Sequence, residues 1–267
     1  MHEFAGKTDP GKREGENEDA IGWDEEAQLW LVADGMGGHA AGSVASRIAT
    51  EQLLASDAAK PLEDRIVDAH EAIVAAADED ASSAGMGTTI VVARIDGSGA
   101  EISWVGDSRA YLWRRGKLEQ LTRDHSYLEL LRAQNILTEE QIRADPRSNL
   151  VIQTLGLGEP KPSVHELSLR YGDWILLCSD GLNDEIDDDE IATILASHST
   201  VQGAVDELVQ VALDNGGRDN TSVIVVEFRG ARGLALYWRL LDSKWLPLII
   251  GATLAALFAI LLFVWAR

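Results

Sequence analysis

Short apolar runs rich in valine, isoleucine and aromatic residues predict a series of strands separated by blocks of helix. The predicted strands lie at 29–33, 88–95, 101–106, 109–114, 164–169, 173–179 and 221–228. Apolar residues at helical spacing predict helices at 41–55, 62–79, 126–135, 188–197 and 201–214. The strands come in consecutive groups rather than in alternation with the helices. This order predicts antiparallel sheets covered by helices, an α+β layered fold.

Two connections have distinct patterns. The sequence RRGK at 114–117 separates two strand-like pieces and predicts a hairpin turn. The segment 126–150 contains helical pieces but little strand pattern. We expect it to form a surface flap inserted between elements of a sheet.

The uncharged stretch 246–265 differs from the rest of the chain. Twenty helical residues would span roughly 30 Å, the thickness of a bilayer core, and Trp245 and Trp265 stand at its ends as interfacial aromatics do. Residues 229–245 form a basic juxtamembrane linker, so the positive-inside rule places the soluble domain, 1–228, in the cytoplasm. We predict a single-pass protein of the cell (inner) membrane, anchored by its C-terminal transmembrane helix.

Charge and cysteine content disfavour nucleic-acid binding and cysteine-based chemistry. The net charge is −21, and the acidic excess lies in residues 1–228, so the domain would repel nucleic-acid backbones. Cys178 is the single cysteine, which excludes an intrachain disulfide. Its apolar neighbours predict a buried small side chain rather than a nucleophile.

Acidic residues stand at the ends or starts of several apolar runs. They are Glu18, Asp19, Asp34, Asp107, Asp180 and Asp219. Carboxylates at strand ends can converge at one edge of a sheet, where their mutual repulsion would be relieved by a divalent cation. The six histidines show no pair at i, i+4 spacing, which disfavours zinc. An all-oxygen set of ligands favours Mg²⁺ or Mn²⁺.

Seven motifs in this order resemble the metal-dependent serine/threonine protein phosphatases of the phosphatase 2C type. They are NEDA (17–20), VADGMGGHAAGSVAS (32–46), GMGTT (85–89), VGDSRAYLW (105–113), LTRDHS (121–126), LCSDGLND (177–184) and GGRDNTSVIVV (216–226). They extend over residues 10–228, nearly the whole soluble domain. Met36 after Asp-Gly is similar to the bacterial branch.

The resemblance implies a four-layer α-β-β-α sandwich, two antiparallel sheets flanked by helices, with two Mn²⁺ or Mg²⁺ ions in a cleft at the sheet edge. Asp34 would bridge both ions and the Gly35 carbonyl would bind one. The other implied metal ligands are Asp180, Asp219, Glu18, Asp19 and, for a third and weaker ion, Asp107. A metal-bound water held through Asp34, Asp180 and Asp219 would hydrolyse phosphoserine and phosphothreonine in proteins, without a side-chain nucleophile. The expected partners are phosphoprotein substrates and a bacterial Ser/Thr kinase that the phosphatase opposes.

Two positions depart from the family pattern. Glu14 stands where the family holds a phosphate-clamping arginine, and Arg13 precedes it by one residue. A one-residue bulge would still let Arg13 bind the substrate phosphate. Met36 replaces a histidine that serves as a candidate general acid in eukaryotic members, which leaves His39 as the candidate for proton transfer.

Two alternatives stay open at this stage. The displaced arginine is compatible with a catalytically weak phosphoprotein-binding module of the same fold. Residues 35–40 also match G-x-G-x-x-A, a nucleotide-loop pattern. That pattern needs a βαβ unit, whereas residues 41–80 are predicted to be helical, so we expect no nucleotide site there.

Overall fold

The computed structural model describes residues 2–12, 15–37, 41–134 and 150–230, together with the single positions 138, 141 and 145. Its strands are β1 (Glu3–Asp9), β2 (Asp19–Asp24), β3 (Leu29–Met36), β4 (Gly87–Thr88), β5 (Ile90–Asp96), β6 (Gly99–Val105), β7 (Arg109–Arg114), β8 (Lys117–Gln120), β9 (Ser163–Ser168), β10 (Trp174–Cys178) and β11 (Thr221–Glu227). Its α-helices are α1 (Ala41–Ala55), α2 (Leu62–Glu79), α3 (Tyr127–Ala133), α4 (Asp180–Asn183), α5 (Asp188–Ser197) and α6 (Val201–Asn215). A single 3-10 turn spans Ala81–Ser83.

The strands form two antiparallel sheets. The first has the order β1-β11-β10-β7-β8, and the second has the order β2-β3-β5-β6-β9 with β4 paired to the end of β3. β10 and β11 lie inside the first sheet and are buried on both faces. Their continuous apolar sequences follow from this position, because both faces of each strand pack against another layer.

Three apolar clusters hold four layers together. One lies between the sheets and joins Trp30 and Val91 of the second sheet to Ile175 and Ile224 of the first. A second packs α5 and α6 on the outer face of the first sheet, and a third packs α1 and α2 on the second sheet. The predicted α+β sandwich of two antiparallel sheets flanked by helices is therefore confirmed.

Local sequence features explain where several helices and strands begin and end. Arg115 and Gly116 both have positive φ between β7 and β8, as a two-residue type I′ hairpin requires, so the predicted turn is confirmed. Thr200 caps α6 through a hydrogen bond from the Gly203 N–H to its hydroxyl, at 3.3 Å. Ser126 and Val151, at the two ends of the predicted insertion 126–150, form a β-bridge, and α3 begins directly after Ser126.

The structure differs from the predicted strands at the N-terminus. β1 was not predicted, because EFAGKTD alternates weakly, yet it pairs over its whole length with β11. The described residues up to Phe228 belong to one compact unit. Within the described part of the chain, no helix has the length and apolar character needed to cross a bilayer. The predicted span 246–265 and nearly all of the predicted linker 229–245 lie outside the described residues.

Candidate active site

The predicted acidic residues lie at one end of the two sheets. Asp19 begins β2 and is the register partner of Asp34 in β3. Asp180 follows β10, and Asp219 precedes β11, the antiparallel neighbour of β10. Asp107 follows β6. Because antiparallel neighbours begin and end at the same edge, the five aspartates converge, and we refer to Asp19, Asp34, Asp107, Asp180 and Asp219 as the acid cluster.

Asp34 and Asp180 hydrogen-bond each other through their carboxyl groups. Removal from water, together with the charges of Asp180 and Asp19, raises the pKa of Asp34 well above its usual range. The pKa of Asp180 rises to about 6, mainly through burial, although the hydrogen bond from Asp34 lowers it. Each of the two carboxyl groups therefore alters the pKa of the other.

Two further members of the acid cluster, Asp19 and Asp107, also have raised pKa values. Burial raises the pKa of Asp19 to about 7, with contributions from Asp180 and Asp219, although Ser222 and Ser179 favour its ionised form. Burial and the charges of Asp180 and Asp124 raise the pKa of Asp107 to about 7. In the described part of the chain, no lysine or arginine forms an ion pair with Asp19, Asp34, Asp107 or Asp180. These four carboxyl groups thus lie together without an ion pair to a lysine or arginine in the described residues, and Arg109 lowers the pKa values of Asp107 and Asp180 only through its charge.

Neighbouring hydroxyl groups fix the main chain and side chains of the cluster. Thr88 donates from Oγ1 to the Asp34 carbonyl at 2.9 Å, and the Asp34 N–H donates to Thr89 Oγ1 at 3.2 Å. Thr89 Oγ1 also lies 2.7 Å from Ser108 Oγ, beside Asp107. Ser179 donates from Oγ to Asp19 Oδ2 at 2.8 Å. The two threonines tie the strand beside the site.

Glycines after two of the aspartates permit close packing. A Cβ on Gly35 would lie 2.2 Å from the Gly42 carbonyl oxygen, and one on Gly181 would lie 2.0 Å from the Asn220 carbonyl oxygen. Either substitution would collide with backbone rather than with a flexible side chain. Both Asp-Gly pairs are therefore steric requirements of the site, because only glycine lets these segments approach.

An ion pair beside Asp107 was not predicted. Arg109 donates to both carboxylate oxygens of Asp124, with Nη2 to Oδ2 at 2.7 Å and Nε to Oδ1 at 3.0 Å. Arg109 Nη1 also donates to the Tyr111 hydroxyl, which donates to Asp188. Arg109 and Asp124 both lie in quoted motifs, but their pairing spans fifteen residues and had no local signal.

Two side chains near the cluster with nucleophilic chemistry, Cys178 and Ser108, are not available for reaction. Cys178 is fully buried, and burial raises the pKa of its thiol to about 12, so it stays protonated. The Ser108 side chain is buried and bonded to Thr89. The arrangement supports neither a thiolate nor a serine nucleophile.

Of the remaining predicted site residues, the structure describes Glu18 but neither Arg13 nor His39. The Glu18 carboxylate lies beside the start of α1, since a Cβ on Gly42 would be 2.8 Å from Glu18 Oε1. Arg13 and His39 lie outside the described residues. Across the described ranges, no group of three or more histidine, cysteine, aspartate or glutamate side chains is arranged so that it could hold a metal ion. What the described residues present is a set of buried carboxyls with raised pKa values.

Comparison with known proteins decides the family. The profile of the family described as Protein phosphatase 2C matches residues 12–217, more than three quarters of the chain. The chain belongs to the protein phosphatase 2C family. The motifs from NEDA to GGRDN that place the acid cluster are thus those of a phosphatase 2C domain, and the predicted enzyme class, a protein-serine/threonine phosphatase, is confirmed.

Relatives and solved structures of the phosphatase 2C family agree with this assignment. The serine/threonine protein phosphatase PstP of Mycobacterium tuberculosis is 34% identical over 84% of this chain, but the match covers only 44% of PstP. The serine/threonine phosphatase stp of Listeria monocytogenes is 37% identical over 83% of this chain and 94% of its own length. A crystal structure of the PstP catalytic domain with two manganese ions superimposes with a TM-score of 0.76, at 33% identity, over 85% of this chain and 97% of that domain. The predicted Mn²⁺ or Mg²⁺ requirement is thus that of the family.

Proposed function

We propose that this chain hydrolyses phosphoserine and phosphothreonine in proteins with a water molecule activated by two divalent cations held at the acid cluster. The observation that carries the proposal is the convergence of five aspartates at one edge of the two sheets, of which Asp19, Asp34, Asp107 and Asp180 form no ion pair with a lysine or arginine among the described residues. Hard oxygen ligands of this kind suit Mn²⁺ and Mg²⁺. The family relationship supports the same conclusion.

The proposed metal ligands are those that the sequence indicates: Asp34, the Gly35 carbonyl, Asp180, Asp219, Glu18 and Asp19, with Asp107 for a weaker third ion. When bound, the cations lower the pKa of water and offset the negative charge of the phosphoryl oxygens. The chain's own contribution is to position these groups. Thr88 and Thr89 hold the main chain of Asp34, and Ser179 orients Asp19.

The activity test uses the full chain and a phosphothreonine peptide. We expect phosphate release that requires Mn²⁺ and stops when EDTA is added. Asp34→Asn should abolish most of the release, whereas Asp78→Asn, on the exposed side of α2, should leave it unchanged. Folded wild-type protein with no Mn²⁺-dependent release would refute the proposal. Tight phosphopeptide binding with negligible turnover would instead establish the binding-module alternative.

Residues outside the described ranges complete the proposed chemistry. We propose that Arg13 binds the substrate phosphate and that His39 takes part in proton transfer. Lys12, the neighbour of Arg13, donates from its N–H to the Gly217 carbonyl at 2.7 Å, two residues before Asp219. Arg13→Ala should raise the KM for a phosphopeptide at least about tenfold, since a bidentate contact to phosphate is lost. Lys12→Ala is the matched control and should change KM less than twofold.

Membrane attachment is a separate proposal. We infer that residues 246–265 anchor the chain as a single helix and that the catalytic domain, 1–228, faces the cytoplasm after the basic linker 229–245. The support is the uncharged length of the span and the basic residues that precede it. Alkaline extraction of bacterial membranes should leave the full chain in the pellet and release a chain ending at residue 245. Recovery of both in the supernatant would contradict the anchor.

The proposed substrates are targets of a bacterial Ser/Thr kinase acting at the same membrane face. Both enzymes would then act on one pool of phosphoproteins. A phosphoproteome recorded with and without the phosphatase should show raised phosphoserine and phosphothreonine occupancy, and the same sites should fall when the kinase is removed. No overlap between the two sets of sites would contradict the pairing.

A further inference from the structure

Asn220 follows Asp219 and contacts three other segments of the chain, those of Pro10, Glu18 and Gly181. Its side-chain Oδ1 accepts the N–H of Glu18 at 2.7 Å, and its Nδ2 donates to the Pro10 carbonyl at 2.9 Å. Its own N–H donates to Asp219 Oδ1 at 2.8 Å. Both ends of the carboxamide are satisfied in one orientation only, since one contact needs an acceptor and the other a donor.

The contact with Glu18 continues into the segment that carries Asp34. The Glu18 carbonyl accepts the Gly35 N–H at 3.1 Å and the Ser46 hydroxyl at 2.6 Å. Glu18 is thus held on one side by Asn220 and on the other by Gly35. A continuous chain of hydrogen bonds runs from the residue after Asp219 to the residue after Asp34.

The main chain of Asn220 also packs tightly against Gly181, the residue after Asp180. The Asn220 carbonyl oxygen lies so close to Gly181 that a Cβ there would approach it to 2.0 Å. Thr221, the next residue, donates from Oγ1 to the Gly181 carbonyl at 3.3 Å. Asn220 and Thr221 therefore fix the start of α4, where Asp180 lies, against the start of β11.

We propose that Asn220 is the positioning residue that sets the distances between Glu18, Asp180 and Asp219, three predicted ligands from widely separated parts of the chain. The inference rests on the proposed function. Its physical basis is that β2 belongs to one sheet and β10 and β11 to the other, so the two groups of ligands need a tie across the layers. The carboxamide supplies that tie at the Glu18 N–H, which no carbonyl of a neighbouring strand accepts in the described residues.

The test compares Mn²⁺ binding by calorimetry on the metal-stripped full chain with thermal unfolding of the same samples. Asn220→Ala removes both side-chain contacts and should weaken Mn²⁺ binding at least about tenfold. Asn220→Asp keeps the acceptor for the Glu18 N–H and should bind Mn²⁺ within about threefold of wild type. Asn215→Ala is the matched control, because Asn215 ends α6, five residues before Asn220, and its side chain donates a hydrogen bond to the Glu185 carbonyl. It should bind within twofold.

A purely structural role for Asn220 predicts a lower melting temperature in Asn220→Ala with unchanged Mn²⁺ affinity of the folded protein. That result would overturn the inference, and so would an equal, tenfold loss in Asn220→Asp. If Asn220→Ala does not fold, Asn220→Asp decides, since tenfold weaker binding there contradicts the proposed role of the acceptor and near-normal binding supports it. Failure of the wild-type chain to bind Mn²⁺ would instead refute the proposed function itself.

Discussion

Two aspartates flank the same buried strand, β10, and have opposite surroundings. Asp173 precedes the strand, with its side chain 4% exposed, and accepts hydrogen bonds from Arg114 Nε at 3.0 Å and Nη2 at 2.6 Å. Its Oδ2 also accepts the Arg170 N–H at 2.6 Å. Asp180 follows the strand, forms no ion pair in the described part of the chain, and hydrogen-bonds to the carboxyl of Asp34.

The comparison separates a structural carboxylate from a functional one. At the Asp173 end, the protein supplies a guanidinium and neutralises the charge internally. At the Asp180 end, it brings further carboxyls together, and their repulsion and burial raise the pKa values of Asp19, Asp34, Asp107 and Asp180. We attribute the difference to a divalent cation that takes the place of the missing side-chain charge.

The largest expected effect is on catalysis at the Asp180 end. Asp180→Asn should lower kcat with Mn²⁺ by at least about a thousandfold, equivalent to ~4 kcal/mol, because a proposed metal ligand is lost. The melting temperature of the metal-free protein should stay equal or rise, since one repelling carboxylate is removed. Phosphopeptide turnover and thermal unfolding check the two parts. If Asp180→Asn keeps more than a tenth of the wild-type kcat, Asp180 is not a ligand of the catalytic cations.

The next effect is on stability at the Asp173 end. Asp173→Asn leaves the partly buried Arg114 without a countercharge and should lower the free energy of unfolding by ~2–3 kcal/mol. Activity per folded molecule should stay within twofold of wild type, because the residue lies at the opposite end of β10 from the acid cluster. Denaturant unfolding and active-site titration measure these quantities. A large loss of turnover in the folded variant would break the distinction between the two ends.

Sequence reasoning could select Asp180 as a candidate metal ligand but could not predict the ion pair of Asp173. Both residues border one apolar run, DWILLCSD; the motif LCSDGLND singles out Asp180, whereas no local pattern indicates the partner of Asp173. The deciding partner of Asp173 is Arg114, 59 residues away, and that of Asp180 is Asp34, still farther along the chain. Strand-end placement is a local pattern, whereas a countercharge depends on which strands become neighbours.

The same difference between local patterns and long-range contacts explains which elements of the fold were predicted. The apolar runs of β10 and β11 and the hairpin at Arg115 have local patterns and were predicted. β1 has almost none and is stabilised by pairing with β11, more than two hundred residues away. Asn220 was quoted within a motif, but its contact with Glu18 also depends on the tertiary fold.

A smaller effect concerns pH. The pKa values of Asp19 and Asp107 are about 7 in the folded protein, against 3.8 for an ordinary aspartate. A carboxyl with a raised folded-state pKa contributes stability below the unfolded pKa and loses it as pH rises through the folded pKa. The metal-free chain should therefore lose melting temperature between pH 4 and pH 8, by ~2–4 °C for each kcal/mol lost. Saturating Mn²⁺ should raise the melting temperature more at pH 8 than at pH 5.5.

Thermal unfolding with EDTA or Mn²⁺ across this range checks the pH effect. Asp180→Asn should show a shallower pH dependence than wild type, whereas Asp173→Asn should show the wild-type slope. A metal-free chain that becomes more stable as pH rises from 5 to 8 would contradict the protonated state of the cluster.

The smallest expected effect is at the support of Asp34. Thr89→Val keeps the shape of the side chain but removes the acceptor of the Asp34 N–H and the contact with Ser108. We expect a loss of ~1 kcal/mol in stability and a three- to tenfold lower kcat/KM. Thr193→Val, whose exposed hydroxyl donates to the Asp189 carbonyl on α5, is the matched control and should change neither quantity appreciably. Equal effects of the two substitutions would remove Thr89 from the support of the site.

The central claim is that cations replace protons at the acid cluster, and proton release on Mn²⁺ binding tests it most directly. Calorimetric titration of the metal-stripped chain at pH 6, in two buffers of different ionisation enthalpy, counts the protons released. Because the pKa values of Asp19 and Asp107 are about 7, the account predicts at least about one proton released per chain at pH 6, fewer in Asp180→Asn and an unchanged number in Asp173→Asn. Mn²⁺ binding without proton release, or equal losses in the two variants, would contradict it.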